Sequence, residues 1–129
     1  MNISSNIPDH AAAVECILEG FVRVCQLLIE SGAVPPDPID VPELRYQLEP
    51  VGSEDWKLPH NVMRDGWGDC EDLAMWRAAG LRATGEDEGA RAVVVSTGEH
   101  KLHAVVLRSD GSIEDPSREL WERQHANGR

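Results

Sequence analysis

Between Val14 and Leu28 the apolar residues Val14, Ile17, Leu18, Phe21, Cys25 and Leu28 recur at three- and four-residue spacing, which predicts an amphipathic helix over 10–31. Asp9 suits its N-cap and Gly32 its stop. Pro35, Pro36, Pro38, Pro42 and Pro50 then impose an extended, ordered loop over 34–60, with at most a short helix near 43–48. Gly66-Trp67-Gly68-Asp69 breaks the chain ahead of a second helix over about 70–83, whose apolar positions are Leu73, Ala74, Trp76, Ala78 and Leu81, and which Gly85 ends. The β-branched run 90–97 predicts a strand, 102–108 a second, and Ser109-Asp110-Gly111 a hairpin turn into a short strand at 112–114. The stretch 118–129 looks like a polar tail with Leu120 and Trp121 docking. This order of elements predicts one α+β domain over 1–129.

Composition adds limits rather than detail. With 41% apolar and 27% charged residues the chain is an ordinary globular one. Glu15, Glu19, Arg23 and Gln26 interrupt its most apolar stretch, so no segment looks like a membrane span. Met1-Asn2-Ile3-Ser4-Ser5 lacks a basic region before an apolar core, and the expected location is the cytoplasm. Twelve Lys+Arg against 23 Asp+Glu leave a net charge of −11. Phosphate contacts dominate nucleic-acid affinity, so a DNA or RNA partner is disfavoured, and an anionic membrane surface with it. A basic or neutral polypeptide is compatible.

Cys16, Cys25 and Cys70 are an odd set without repeating spacing, which predicts free thiols. Cys16 and Cys25 fall in the first helix, where they should pack as small apolar groups. Cys70 differs. It opens the second helix, where unpaired N–H groups and the helix dipole favour a thiolate, and two preceding glycines allow close backbone approach. Strand alternation puts His103 on one face with Val105 and Leu107. If that face packs on the second helix, the imidazole reaches Cys70 as a general base. Asp115, ending the next strand, can fix the imidazole's orientation. A tetrahedral intermediate also needs oxyanion donors. The Cys70 N–H is one, and Gln47, Asn61, Trp56 and Trp67 compete for the other, with Trp67 the best cleft-lining aromatic. A zinc site from Cys70, His100 and His103 lacks paired Cys-x-x-Cys spacing. His60 and His125 have no evident partner.

Gly68-Asp69-Cys70-Glu71-Asp72-Leu73-Ala74, followed by His103-Ala104-Val105 and Asp115, resembles the transglutaminase-like cysteine proteinases, a papain-like family. Trp56-Lys57-Leu58-Pro59 is similar to that family's Trp-x-x-Pro segment, and the likeness spans about 56–117. It implies a catalytic core over 66–117, with Cys70 as nucleophile, His103 as base and Asp115 as third member. It also implies calcium at Asp69 and Glu71, although the chemistry itself requires no cofactor. Two carboxylates beside a thiol should raise its pKa, and a hard cation would cancel that effect. Asp115-Pro116-Ser117 resembles the wider transglutaminase core more than the proteinase subgroup, and the short chain suits a compact intracellular or phage-encoded member.

The expected function is a thiol-dependent amide hydrolase, a cysteine peptidase or isopeptidase, acting on a polypeptide through an acyl-enzyme. Two alternatives stand beside it. One is acyl transfer to an amine, as in transglutaminases or amidases. The other is a non-catalytic binding or assembly module on the same fold.

Overall fold

The computed structural model describes residues 7–48, 56–98 and 101–126. Its elements run α1 (Ile7–Glu30), a 3-10 turn (Pro38–Asp40), β1 (Arg45–Tyr46), α2 (Pro59–Asp65), β2 (Trp67–Gly68), α3 (Cys70–Ala83), β3 (Arg91–Gly98), β4 (Lys101–Leu107), β5 (Ile113–Glu114) and α4 (Pro116–Ala126). The mixture of helix and a small antiparallel sheet is α+β, as expected. Among the described residues no helix is long and apolar enough to cross a membrane.

α3 is the axis of the molecule. Ten of its 14 residues are buried, and a helix apolar on nearly all sides must be covered on nearly all sides. Ala74, Ala78 and Leu81 meet Leu18, Val22 and Cys25 of α1 together with Ala92, Ala104 and Val106 of the sheet. On its other side Leu73 and Trp76 join Val34, Leu44, Val62 and Leu120. The Trp76 indole N–H donates to the Pro35 carbonyl at 2.7 Å and so pins the Pro-rich loop to the helix. Gly80 lets that loop lie flat, since a Cβ there would fall 1.7 Å from the Pro36 carbonyl oxygen.

The sheet has the order β3-β4-β5, all antiparallel, with His103 opposite Val95 and Val106 opposite Glu114. β1 and β2 form a separate parallel pair in which Tyr46 faces Gly68. Arg77 ties the loop to the sheet, reaching Asp37 at 3.3 Å and Glu114 at 3.0 Å.

Several expectations change. α1 begins at Ile7, so Asp9 lies inside it rather than capping it. Gly32 does stop it: with φ +83°, its N–H bonds the Ile29 carbonyl and the Ala33 N–H bonds Leu28. Near 43–48 the chain forms β1, not a helix, and α2 follows, started by Pro59 and ended by Gly66. The polar tail is α4. Leu120 docks as expected, but Trp121 is half-exposed and stacks on His125, whose Nδ1 lies 2.8 Å from the Trp121 carbonyl. His60 is exposed on α2. Cys25 is buried but Cys16 is exposed.

Gly80→Ala should lower the unfolding free energy by about 1–3 kcal/mol, since backbone must move to admit the methyl group. Urea denaturation checks this, and a neutral result would mean that the loop does not rest on α3.

Candidate active site

The entry to α3 is over-determined. Asp69 is the N-cap and forms a capping box with Asp72. The Asp72 carboxylate is buried and accepts from two backbone N–H groups, Asp69 at 3.0 Å and Lys57 at 2.8 Å. Burial pushes the Asp72 carboxyl up to about 6, against the pull of those two N–H donors. Cys70 follows directly and is 8% exposed.

The thiol does not behave as the helix start alone would have it. Burial raises its pKa well above the ordinary value, and the charges of Glu71 and Asp69 push the same way. The sulfur donates to Glu71 Oε2 at 3.3 Å. Against this the nearby Ala104 backbone N–H favours the thiolate. A helix terminus offers only about half a positive charge. Two nearby carboxylates and a buried position outweigh it, so the resting sulfur is a neutral thiol.

His103 and Asp115 do meet. His103 Nε2 lies 2.9 Å from Asp115 Oδ2. Asp115 also accepts from the Ser117 hydroxyl at 2.7 Å and from the Arg118 N–H at 3.2 Å, both on Oδ1. Burial works upward on this carboxyl, but the bonds from Ser117 and His103 prevail and hold it below its ordinary value. An ionised carboxylate only accepts, so Nε2 carries the ring proton and Nδ1 carries the lone pair.

The route by which His103 approaches Cys70 differs from the one expected. The face of β4 that packs on α3 carries Ala104 and Val106, which share a core cluster with Cys70 and Ala74. His103 and Val105 belong to the opposite face. β5 pairs only with Val106 and Leu107, so beyond it the β4 edge is open at Ala104. There Cys70 packs in one core cluster with Ala104, the residue next to His103. Among the described residues no hydrogen bond joins Cys70 to His103.

The proposed oxyanion donors fare unevenly. The Cys70 N–H donates to Asp69 Oδ1 at 2.6 Å and is thereby engaged. The Lys57 ammonium sits 3.2 Å from the centre of the Trp67 ring and covers it. Trp56 packs edge-on against Phe21 and joins the core. Asn61 lies in the first turn of α2, and Gln47 is exposed beyond β1. Among the described residues no hydrogen bond joins any of these four side chains to Cys70. His100 lies outside the described residues. Tyr46, which the sequence did not single out, packs against the core cluster that holds Cys70; burial raises its hydroxyl to about 12, and the charges of Asp69, Asp115 and Glu71, with that of a Cys70 thiolate when one forms, add to the effect. Its only sequence signal was adjacency to Gln47.

Asp69, Cys70 and Glu71 bring two carboxylate oxygens and the sulfur within 4.8 Å of one another. Calcium takes about six to eight oxygen ligands and has no liking for sulfur. Asp69 already gives an oxygen to the helix N–H. As they stand, these three groups do not make a calcium site. A cavity of about 620 Å3 lies elsewhere, between α1 and β3, where Glu19 and Arg82 pair at 2.7 Å.

No family model, curated protein or solved structure matches this chain. The chemistry of the site therefore rests on its own geometry.

Glu71→Gln removes a negative charge beside the sulfur, which stabilises the thiolate and moves the alkylation midpoint of Cys70 to lower pH. At pH 8 the iodoacetamide rate should rise several-fold, read on the Cys70 peptide by mass spectrometry. An unchanged rate would mean that Glu71 does not act on the thiol.

Proposed function

We propose that this chain is a thiol-dependent amide hydrolase with a transglutaminase-like core, acting on a polypeptide through Cys70, His103 and Asp115. The observation that carries the proposal is the His103–Asp115 pair at 2.9 Å, with Cys70 in one core cluster with the very next residue, Ala104. A nucleophile, a base and an orienting carboxylate in one place are the components of acyl transfer.

Because the thiol is neutral at rest, the proton leaves during attack rather than before it. The sulfur adds to the substrate carbonyl as His103 Nδ1 takes the thiol proton, and Asp115 stabilises the imidazolium at Nε2. The C–N bond then breaks, and His103 returns the proton to the leaving amine. Water attacks the resulting thioester with His103 again as base, which releases the carboxylic acid and restores the thiol. An amine in place of water gives acyl transfer through the same thioester. The net charge of −11 favours a neutral or basic polypeptide over a nucleic acid or an anionic membrane as partner.

A binding module on the same fold is the second reading, favoured by the burial of Cys70 and its bond to Glu71.

The test is acid-quench mass spectrometry of the protein incubated with N-acetylated peptides and cadaverine. A thioester on Cys70, absent in Cys70→Ala and slowed by about 10²–10⁴ in His103→Ala, is the expected result. Peptide acid as the product means hydrolysis, and a cadaverine adduct means transfer. No thioester under any condition would overturn the enzyme reading in favour of the binding module.

A further inference from the structure

An acyl-transfer site needs a donor for the carbonyl oxygen as it becomes negative. Here the need is acute, because Asp69 and Glu71 put negative charge beside the sulfur. The nearest backbone donor, the Cys70 N–H, is committed to Asp69 Oδ1. Of the four side chains the sequence suggested, Trp67 is covered by Lys57, Trp56 is packed on Phe21, and Asn61 and Gln47 lie on α2 and beyond β1.

We propose that the Tyr46 hydroxyl is the oxyanion donor of the Cys70 site, carried there by β1 and held in place by Gln124. The proposal rests on the thiol-acyl reading above. β1 pairs in parallel with β2, and Tyr46 stands opposite Gly68, two residues before the nucleophile. Adding a Cβ to Gly68 would bring it to 3.2 Å from Val62 and 3.3 Å from Leu73, so the β2 backbone is tightly seated and β1 has a fixed template. On its other side Tyr46 is clamped by a single amide. The Tyr46 N–H donates to Gln124 Oε1 at 3.0 Å, and Gln124 Nε2 donates to the Tyr46 carbonyl at 3.2 Å. Arg123 adds to the clamp by donating to the carbonyls of Ile39, Val41 and Leu44 at 2.6, 3.1 and 3.0 Å. A guanidinium spent on three backbone carbonyls fixes the segment that leads into β1. A donor is useful only if it is preorganised, and these contacts on both flanks preorganise Tyr46.

The chemistry of the phenol is consistent with this role. Its raised pKa keeps it protonated across the working range of a histidine base, so it donates a hydrogen bond without losing its proton. As the Cys70 sulfur bonds to the carbonyl carbon, the C=O electron pair moves to oxygen and the Tyr46 O–H bonds to it. The pair returns when the leaving group departs, and Tyr46 is unchanged. Tyr46 touches the reacting atoms in this scheme, whereas Gln124 acts through Tyr46 and is a positioning residue.

Two reagents separate an oxyanion donor from a group that merely tunes the thiol. p-Nitrophenyl acetate acylates Cys70 through a tetrahedral oxyanion: the S–C bond forms, the ester C–O bond breaks, p-nitrophenolate leaves and the thiol proton passes through His103 to solvent. Iodoacetamide alkylates the same sulfur by displacement of iodide and forms no oxyanion. Both rates are measured on the full chain in a Cys16→Ser background, which removes the exposed second thiol. Tyr46→Phe should slow the p-nitrophenolate burst by about 10²-fold and leave alkylation of Cys70 and its pH profile in place. Gln124→Ala should slow acylation less, and should add nothing on top of Tyr46→Phe. Equal acylation by wild type and Tyr46→Phe would overturn the proposal, as would a parallel fall in both reactions. A wild-type Cys70 that reacts with iodoacetamide but never with the ester would instead overturn the thiol-acyl reading, and this inference with it.

Discussion

One buried carboxylate holds the centre of this molecule together. Asp72 accepts the Asp69 and Lys57 backbone N–H groups with its two oxygens, and so joins the start of α3 to the segment that leads into α2. The same contact sets where Cys70 begins its helix. Truncating Asp72 would orphan two backbone donors at a buried site, and each orphan costs about 1–3 kcal/mol. β2, one residue before the cap, inherits that fixed position and in turn gives β1 its register. Gln124 and Arg123 close the arrangement from α4. Positions as far apart in sequence as Tyr46, Cys70 and Gln124 are thus tied to one helix start.

The same anchoring has an electrostatic consequence. Capping a helix with Asp69 and following Cys70 with Glu71 puts negative charge on both sides of the sulfur. The helix dipole opposes this but is the weaker contribution. A cysteine that rests as a neutral thiol is protected from oxidation and alkylation, which depend on the thiolate. In the proposed mechanism it also places the burden of activation on His103. Asp115, lowered by Ser117 and His103 despite its burial, keeps the imidazole in the tautomer that can accept the thiol proton. Stability at the helix start and reactivity at the sulfur therefore pull against each other.

Much of the frame was legible in the sequence. The β-branched run and the hairpin turn located β3, β4 and β5, and the glycine-aspartate break located α3 to the residue. The strands next to the site were not. β1 and β2 are two-residue pairs, too short to show any alternation. α4 carries few apolar residues, and its place is decided by Pro116, the Asp115 cap and the reach of Arg123 and Gln124 into distant backbone. The sequence named Cys70, His103 and Asp115, and the structure brings the last two into contact. It did not foresee that Ala104 rather than His103 would face α3, because alternation alone does not say which face is buried. Tyr46 was invisible for a related reason: a tyrosine in a loop acquires a role only from the parallel pairing that places it.

In the proposed mechanism Cys70 rests as a neutral thiol and gives up its proton only to the His103–Asp115 pair during attack. The most direct measurement is the thiolate absorbance near ~240 nm against pH in a Cys16→Ser background, where the buried Cys25, raised to about 12, stays silent at neutral pH. A neutral resting thiol gives no thiolate signal at pH 7 in either wild type or His103→Ala, with ionisation only in the alkaline range. A thiolate signal at pH 7 that disappears in His103→Ala would contradict it and would mean a preformed ion pair between Cys70 and His103.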